Sequence, residues 1–392
     1  MVRVIGSQDI NSARSKGLAH IEVLPGDIVT DLGREAASRL GIELKDGPLE
    51  RPVYPRTDGT TQMRRHLYRR NPHWVAPQTP VHGKARQLGK IALVGAGGVG
   101  ANIAHLLANQ NASQELVLID VAAGVAAATA LDLEHATGIS GSGTRMEGSS
   151  DLKDVADADL VVVTAGRPRT PGMSRSDLID VNKRVIHAAG EATATLAPKA
   201  IVIVVTNPLD EMTYEMLNVT GFPRERVLGM AGTLDSSRFR ACLAKAAGVC
   251  AADVSAMALG SHGDEMVPLS SQATIKGRAL AAFLSEEQIA ACINDAVTGG
   301  GQVVALRKTG SATLAPAHAT VEIIDHLRGA RAGLVPVSVL LQGELELEDV
   351  VLGMPCRLGQ GGLLDIVVPK MSADEGEALK NAAAAVRSRI AG

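Results

Sequence analysis

Residues 91–108 read IALVGAGGVGANIAHLLA, and the way this stretch folds decides the architecture of the whole chain. Four apolar residues suited to a strand are followed by Gly95, Gly97 and Gly100 in GxGxxG spacing, and then by an apolar helical run starting near Val99. In a βαβ unit the first glycine allows the tight turn and the second lets a pyrophosphate approach the backbone. The third packs helix on strand, with the helix N-terminus facing the phosphates. The spacing is weak evidence alone, but a second strand, ELVLID, ends in Asp120, twenty residues past Gly100. A carboxylate there hydrogen-bonds an adenosine ribose diol and repels a 2′-phosphate, so NAD is expected rather than NADP. Gly95, Gly97, Gly98, Gly100 and Asp120 are the expected cofactor residues of this half.

Working outward, the runs DLVVVTAG and AIVIVVTNP repeat the continuous apolar pattern, with alanine-rich helical stretches between. Apolar strands alternating with helices mean a parallel sheet covered on both faces. The expected class is α/β, a Rossmann doubly wound parallel sheet over 89–234 followed by an α+β catalytic domain over 235–392. In the second part, helices are expected at 284–307 and 373–390, with strands near 254–259 and 363–368. Upstream, residues 1–88 form an N-terminal extension. One short helix is expected in VTDLGREAASRLGIEL, capped by Thr30, with Leu32, Ala36 and Leu40 on one face and Gly41 at its end. Beyond it, residues 51–90 hold nine Lys or Arg against one acid, and five prolines fall between 51 and 80, the composition of an extended basic arm. No internal repeat is read from the chain.

A net charge of −3 with 21% charged residues favours neither nucleic acid nor an anionic membrane as partner. The four cysteines form no CxxC pair and have no histidines at ligand spacing, so no metal site or disulfide framework is indicated, and a reducing cytoplasm is the expected location. The strongly apolar runs are strand-sized, too short for a membrane helix.

One further stretch, GRPRTPGMSRSD at 166–177, sets Arg167, Arg169 and Arg175 among prolines and glycines directly after a strand. Together with GAGGVG, VVTNPLD, VLGMAGTLDSSRFR, LGSHGDEMVPL and KTGSATLAP, occurring in that order from Lys90 onward, it resembles the lactate/malate dehydrogenase family, in particular its lactate-dehydrogenase-like malate dehydrogenases. The resemblance implies that the arginine-rich stretch is a mobile lid closing over bound substrate. In it Arg175 would polarise the reacting carbonyl, and Arg169 would read a second carboxylate at the far end of the substrate. Arg167 has no role by resemblance and is expected in solvent. His262 would accept the hydroxyl proton, Asp235 would hold its tautomer, and Arg238 would grip the C1 carboxylate bidentately. Asn207 would touch substrate and cofactor, and Asn182 and Val205 would serve the nicotinamide half.

The implied activity is NAD-dependent, reversible interconversion of (S)-malate and oxaloacetate, with a place in the tricarboxylic acid cycle and a homodimeric or homotetrameric assembly. A guanidinium buried without its partner costs about 3–5 kcal/mol, which disfavours a monocarboxylate such as pyruvate. Ser261, where this branch usually has glycine, and Thr313 and Leu314, where aromatics are common, depart from the family pattern and admit a modified malate as substrate. The alternatives are a lactate or other 2-hydroxy acid dehydrogenase, and a catalytically silent NAD-binding scaffold. The extension is expected to be disordered or to clasp a neighbouring subunit. Its helix also resembles segments on enzymes packaged in bacterial microcompartments, which implies contact with a shell as the other option.

Overall fold

The computed structural model describes residues 4–5, 7–23, 28–46, 85–167, 175–308 and 310–391. Arg169 and the basic arm between 47 and 84 lie outside the described residues, as does the Arg175 side chain. The chain divides into two compact units, Met1–Arg56 and Thr57–Gly392.

The first unit carries more than the single expected helix. Strand β1 (Val4–Ile5), helix α1 (Ser7–Ser15) and strand β2 (His20–Val23) are followed by β3 (Ile28–Val29), α2 (Asp31–Leu40) and β4 (Glu43–Asp46). β1 pairs in parallel with β3, and β2 with β4, so two β-α-β halves interlock, each strand of one beside its counterpart in the other. This is an internal repeat at the level of topology, hidden because the two halves share little side-chain identity. The α2 caps are as expected: Thr30 Oγ1 accepts from the Gly33 N–H at 3.0 Å, and Gly41 is left-handed with φ +62°. The buried face differs. Leu32 stays exposed, whereas Ala36 and Ala37 pack with Ile5, Ile10 and Ile42.

The second unit is organised by one eleven-stranded sheet. Its parallel part comprises β5 (Leu88–Val94), β6 (Ser113–Ile119), β7 (Arg145–Ser149), β8 (Leu160–Val163), β9 (Ile201–Val204) and β10 (Val227–Gly229). The spatial order is β7-β6-β5-β8-β9-β10, the 3-2-1-4-5-6 order of a doubly wound dinucleotide fold, with the switch of direction beside β5. Strands β8 and β9 are buried at every position, which explains their unbroken LVVV and IVIV runs. The interleaved helices are α3 (Gly98–Asn109), α4 (Val125–Ser140), α5 (Arg175–Leu196) and α6 (Leu209–Thr220).

The sheet continues into the C-terminal part. After α7 (Gly232–Ala247), the short strands β11 (Val254–Ser255), β12 (Ala258–Gly260), β13 (Met266–Pro268), β14 (Thr274–Ile275) and β15 (Arg278–Ala279) precede α8 (Glu286–Arg307) and α9 (Leu314–Leu327). The long hairpin β16 (Val335–Gln342) and β17 (Glu348–Gly359), then β18 (Gly362–Ile366) and α10 (Ala373–Ala391), complete the chain. β16 adds antiparallel to β10, and β17, β12 and β13 follow outward. The expected division after Leu234 falls inside α7. The helices expected at 284–307 and 373–390 are α8 and α10. By length and composition α8 is, among the described residues, the one helix apolar enough to cross a membrane; here it packs along α7.

Candidate active site

The β5–α3 turn leaves room for a phosphate. A Cβ at Gly100 would lie 1.9 Å from the Gly95 carbonyl oxygen, so the helix can start this close to the turn only with glycine there. Gly97, the N-cap of α3, is the opposite case: among the described residues nothing lies within 4 Å of its Cβ position, and no side chain caps the first N–H groups of the helix. Those N–H groups and the positive end of the helix are a ready anion site. At the end of β6, Asp120 accepts from the Ala96 N–H at 2.8 Å through Oδ2 and from the Ala122 N–H at 2.9 Å through Oδ1. Its carboxylate therefore sits beside the glycine turn, at the place where a ribose would follow the pyrophosphate. These features fit a dinucleotide.

The next two strand ends are tied by Asn182, reaching from α5. Its Oδ1 accepts from the Arg167 N–H at 2.7 Å, and its Nδ2 donates to the carbonyls of Arg167 at 3.2 Å and Asn207 at 2.6 Å. Buried to 1% exposure, it satisfies three backbone groups at once and fixes the spacing of the loops after β8 and β9. Val205 and Asn207 stand on the second of these loops.

The charged centre comes from α7 and the β12–β13 turn. His262 Nδ1 lies 2.9 Å from Asp235 Oδ2, and Arg238 Nη1 donates to Asp235 Oδ1 at 3.1 Å. Asp235 and Arg238 are one helical turn apart and present the same face, as their spacing suggested. Burial by itself depresses the His262 imidazolium. The Asp235 carboxylate, by charge and hydrogen bond, outweighs it with help from Asp210, and the ring is held above the ordinary histidine range. With Nδ1 engaged by Asp235, Nε2 is the nitrogen left for chemistry.

A residue that the sequence alone did not single out completes the support. Asp210, at the start of α6, accepts the His262 backbone N–H at 2.8 Å and the Ser338 hydroxyl at 2.9 Å. Burial, then the neighbouring Glu211, push its carboxyl up to about 6, against the hydrogen bond and charge of His262. It belongs to the quoted VVTNPLD stretch, so its position beside Asn207 was the available signal.

A cleft of about 770 Å³ joins the two halves, lined by Gly97, Gly98, Val205, Asn207, Arg238 and His262 among others. Arg167, exposed to solvent as expected, stands at its edge and also lines it, as does Arg307 at the end of α8. Arg307 donates to the Ser311 carbonyl at 3.0 Å and to Thr313 Oγ1 at 3.4 Å. A Cβ on Gly98 would meet the Thr313 methyl at 2.6 Å, so Thr313 covers the glycine turn at the position noted as a departure.

This pairing of a glycine turn with a His–Asp–Arg centre agrees with what the sequence matches. Residues 89–229 match the lactate/malate dehydrogenase NAD-binding domain, and residues 232–392 match the alpha/beta C-terminal domain of the same family. The chain belongs to the lactate/malate dehydrogenase family. The malate dehydrogenase of Nostoc punctiforme is 44% identical over 315 residues, covering 80% of this chain and 95% of that protein. Among solved structures, the malate dehydrogenase of Cryptosporidium parvum superposes with a TM-score of 0.75 at 36% identity, covering 78% of this chain and 98% of the other. The lactate dehydrogenase of Cryptosporidium parvum, complexed with lactic acid and nicotinamide adenine dinucleotide, does so with a TM-score of 0.75 at 34% identity, over 78% and 98%. In family terms the glycine turn opens the NAD-binding domain and α7 opens the second domain; residues 1–88 lie outside both matches.

Proposed function

We propose that this family member is an NAD-dependent L-malate dehydrogenase, with His262, Asp235, Arg238 and Arg175 at the reacting carbon and Arg169 selecting a dicarboxylate. The observation that carries this reading is the single cleft that runs from the glycine turn to His262. Bound NAD supplies the hydride acceptor; the side chains bind, orient and move the proton. Arg238 holds the C1 carboxylate, which sets the C2 hydroxyl toward His262 Nε2. As the C2 hydrogen leaves, the hydroxyl proton passes to Nε2, and Asp235 stabilises the imidazolium that forms. Arg175 offsets charge on the C2 oxygen in the reverse direction. Asn207 contacts both ligands, Asn182 and Val205 shape the nicotinamide end, and Gly95, Gly97, Gly98, Gly100 and Asp120 hold the adenosine diphosphate half.

Residues 1–88, 89–234 and 235–392 act as extension, cofactor domain and substrate domain, and the two family matches support the last division to within a few residues. The protein serves the malate and oxaloacetate step of the tricarboxylic acid cycle in the cytoplasm, a location supported by four free cysteines. It assembles as a homodimer or homotetramer, supported by Leu131 and Ile139, apolar and exposed on α4. The extension contacts a neighbouring subunit.

The test is NADH oxidation with oxaloacetate and with pyruvate at equal concentrations, with His262→Asn as the blank. Oxaloacetate is expected to win by about two decades or more, and Arg169→Gln to remove most of that preference. Preference for pyruvate in the unaltered protein overturns the dicarboxylate assignment. Absence of turnover with either substrate makes the silent scaffold the better account.

A further inference from the structure

Behind His262 lies a buried set of charges to which hydride transfer assigns no task. Glu211 on α6 has a side chain only 3% exposed, next in sequence to Asp210. Burying a carboxylate there is costly unless it is paired, and more so beside a second one. Its partner is Arg389, near the end of α10. Nε donates to Glu211 Oε1, Nη1 to Glu265 Oε1 at 2.8 Å, and Nη2 to Ser261 Oγ at 3.0 Å. One planar fork thus reaches three partners, a task for which lysine lacks the geometry.

Two of those partners bracket His262, one residue before it and three after. Gly260, just before Ser261, has φ +85° and Gly263, between the two, has φ +130°, glycine conformations that give the unanchored segment wide backbone freedom. Ser261 is buried to 1% exposure, so its hydroxyl has to be satisfied inside the protein.

We propose that Arg389 is a positioning residue for His262: from outside the cleft it staples both ends of the Ser261–Glu265 turn and neutralises Glu211, so the His262 backbone N–H stays on Asp210 and its ring on Asp235. This rests on His262 being the proton acceptor. The charged groups that act on that ring are Asp235 and Arg238 from α7 and Asp210 from α6; Asp264 lies in its own turn, and Arg389 with Glu211 and Glu265 holds the turn from behind.

The experiment follows kcat/KM for malate oxidation against pH, with NADH affinity measured by fluorescence and thermal stability in parallel. Malate oxidation needs the neutral imidazole, so the rate climbs with pH as His262 loses its proton. Arg389→Met removes a cation and is expected to move that limb to higher pH by about half a unit. It also lowers kcat about tenfold through a misplaced base, with NADH affinity within about twofold. Glu211→Gln removes an anion and moves the limb the other way. Arg389→Lys keeps the charge without the fork, so the limb stays and kcat falls. If Arg389→Met does not fold, the other two variants carry the test. A limb that stays put in both Arg389→Met and Glu211→Gln, with only melting temperature altered, overturns the proposal. Activity retained in His262→Asn would instead overturn the reading of the proton acceptor.

Discussion

At the centre of the site Asp235 holds the His262 ring and Asp210 its backbone N–H, and the ionisation of Asp210 and of the ring sets a pH window for stability. Asp210 rises from 3.8 to about 6 on folding, chiefly by burial. A carboxyl whose folded value is raised is protonated more readily when folded, so it favours folding at low pH and loses that contribution as pH climbs from about 4 to about 6. The size of the change is about 3 kcal/mol. His262, also raised, contributes stability that is complete below the ordinary histidine value and lost as pH passes its folded value. Both groups therefore tilt stability downward with rising pH. Asp210→Asn keeps an acceptor for the His262 N–H and removes the titration. The difference in melting temperature between this variant and the unaltered protein is expected to grow in the variant's favour from pH 4 to pH 6 and then level off. A difference flat across that range contradicts the assignment. Asp235→Asn addresses the chemistry instead: with the imidazolium unsupported, kcat for malate oxidation is expected to fall by two to four decades, roughly, while NADH binding holds.

At the scale of elements, the β5–α3 turn separates what the fold needs from what the ligand needs. Gly100→Ala drives a Cβ into the Gly95 carbonyl, an overpacking of backbone on backbone worth about 1–3 kcal/mol or more, and should lower melting temperature. Gly97→Ala meets nothing in the protein, so stability should hold while a methyl group occupies the phosphate's place. NADH affinity is expected to drop at least about tenfold, the cost of a lost charge-assisted contact or two. Equal losses of stability in the two variants would show that the turn is merely structural. The same turn explains why the parallel half was legible: glycine spacing and fully buried strands leave a pattern on the residues themselves. The β16–β17 hairpin was not anticipated, and Pro336 and Pro355 are the reason. Proline inside an apolar run argues against a central strand, yet here the two stand directly opposite each other in register. The contacts of Asp210 and Arg389 were likewise out of reach, because their partners lie 52 and 128 residues away, although Asp210 stands in the quoted VVTNPLD stretch. No local spacing encodes such contacts.

For the whole molecule the question is how much the extension contributes to the enzyme. The family matches begin at residue 89, and every group placed at the candidate site lies beyond it. The second unit also has its own continuous core, running from Leu88 on β5 to Val386 on α10. The first unit's core is small, with Ile5, Ile10, Ala36, Ala37 and Ile42 buried and a few half-buried residues around them. Domains of this size bury too little apolar surface to be more than marginally stable without a staple or a partner. A chain starting at residue 85 should therefore fold, melt cooperatively and keep kcat and both KM values within about twofold, since the second unit's core and the candidate-site residues all lie beyond that point. The segment 1–56 made alone should show weak helical circular dichroism and a broad, non-cooperative melt. If the shortened enzyme instead loses its KM for oxaloacetate while remaining folded, the extension shapes the cleft and has to be counted among its walls. If it keeps its kinetics but changes its sedimentation, the extension belongs to assembly, with the two interlocked β-α-β halves as the part that joins subunits.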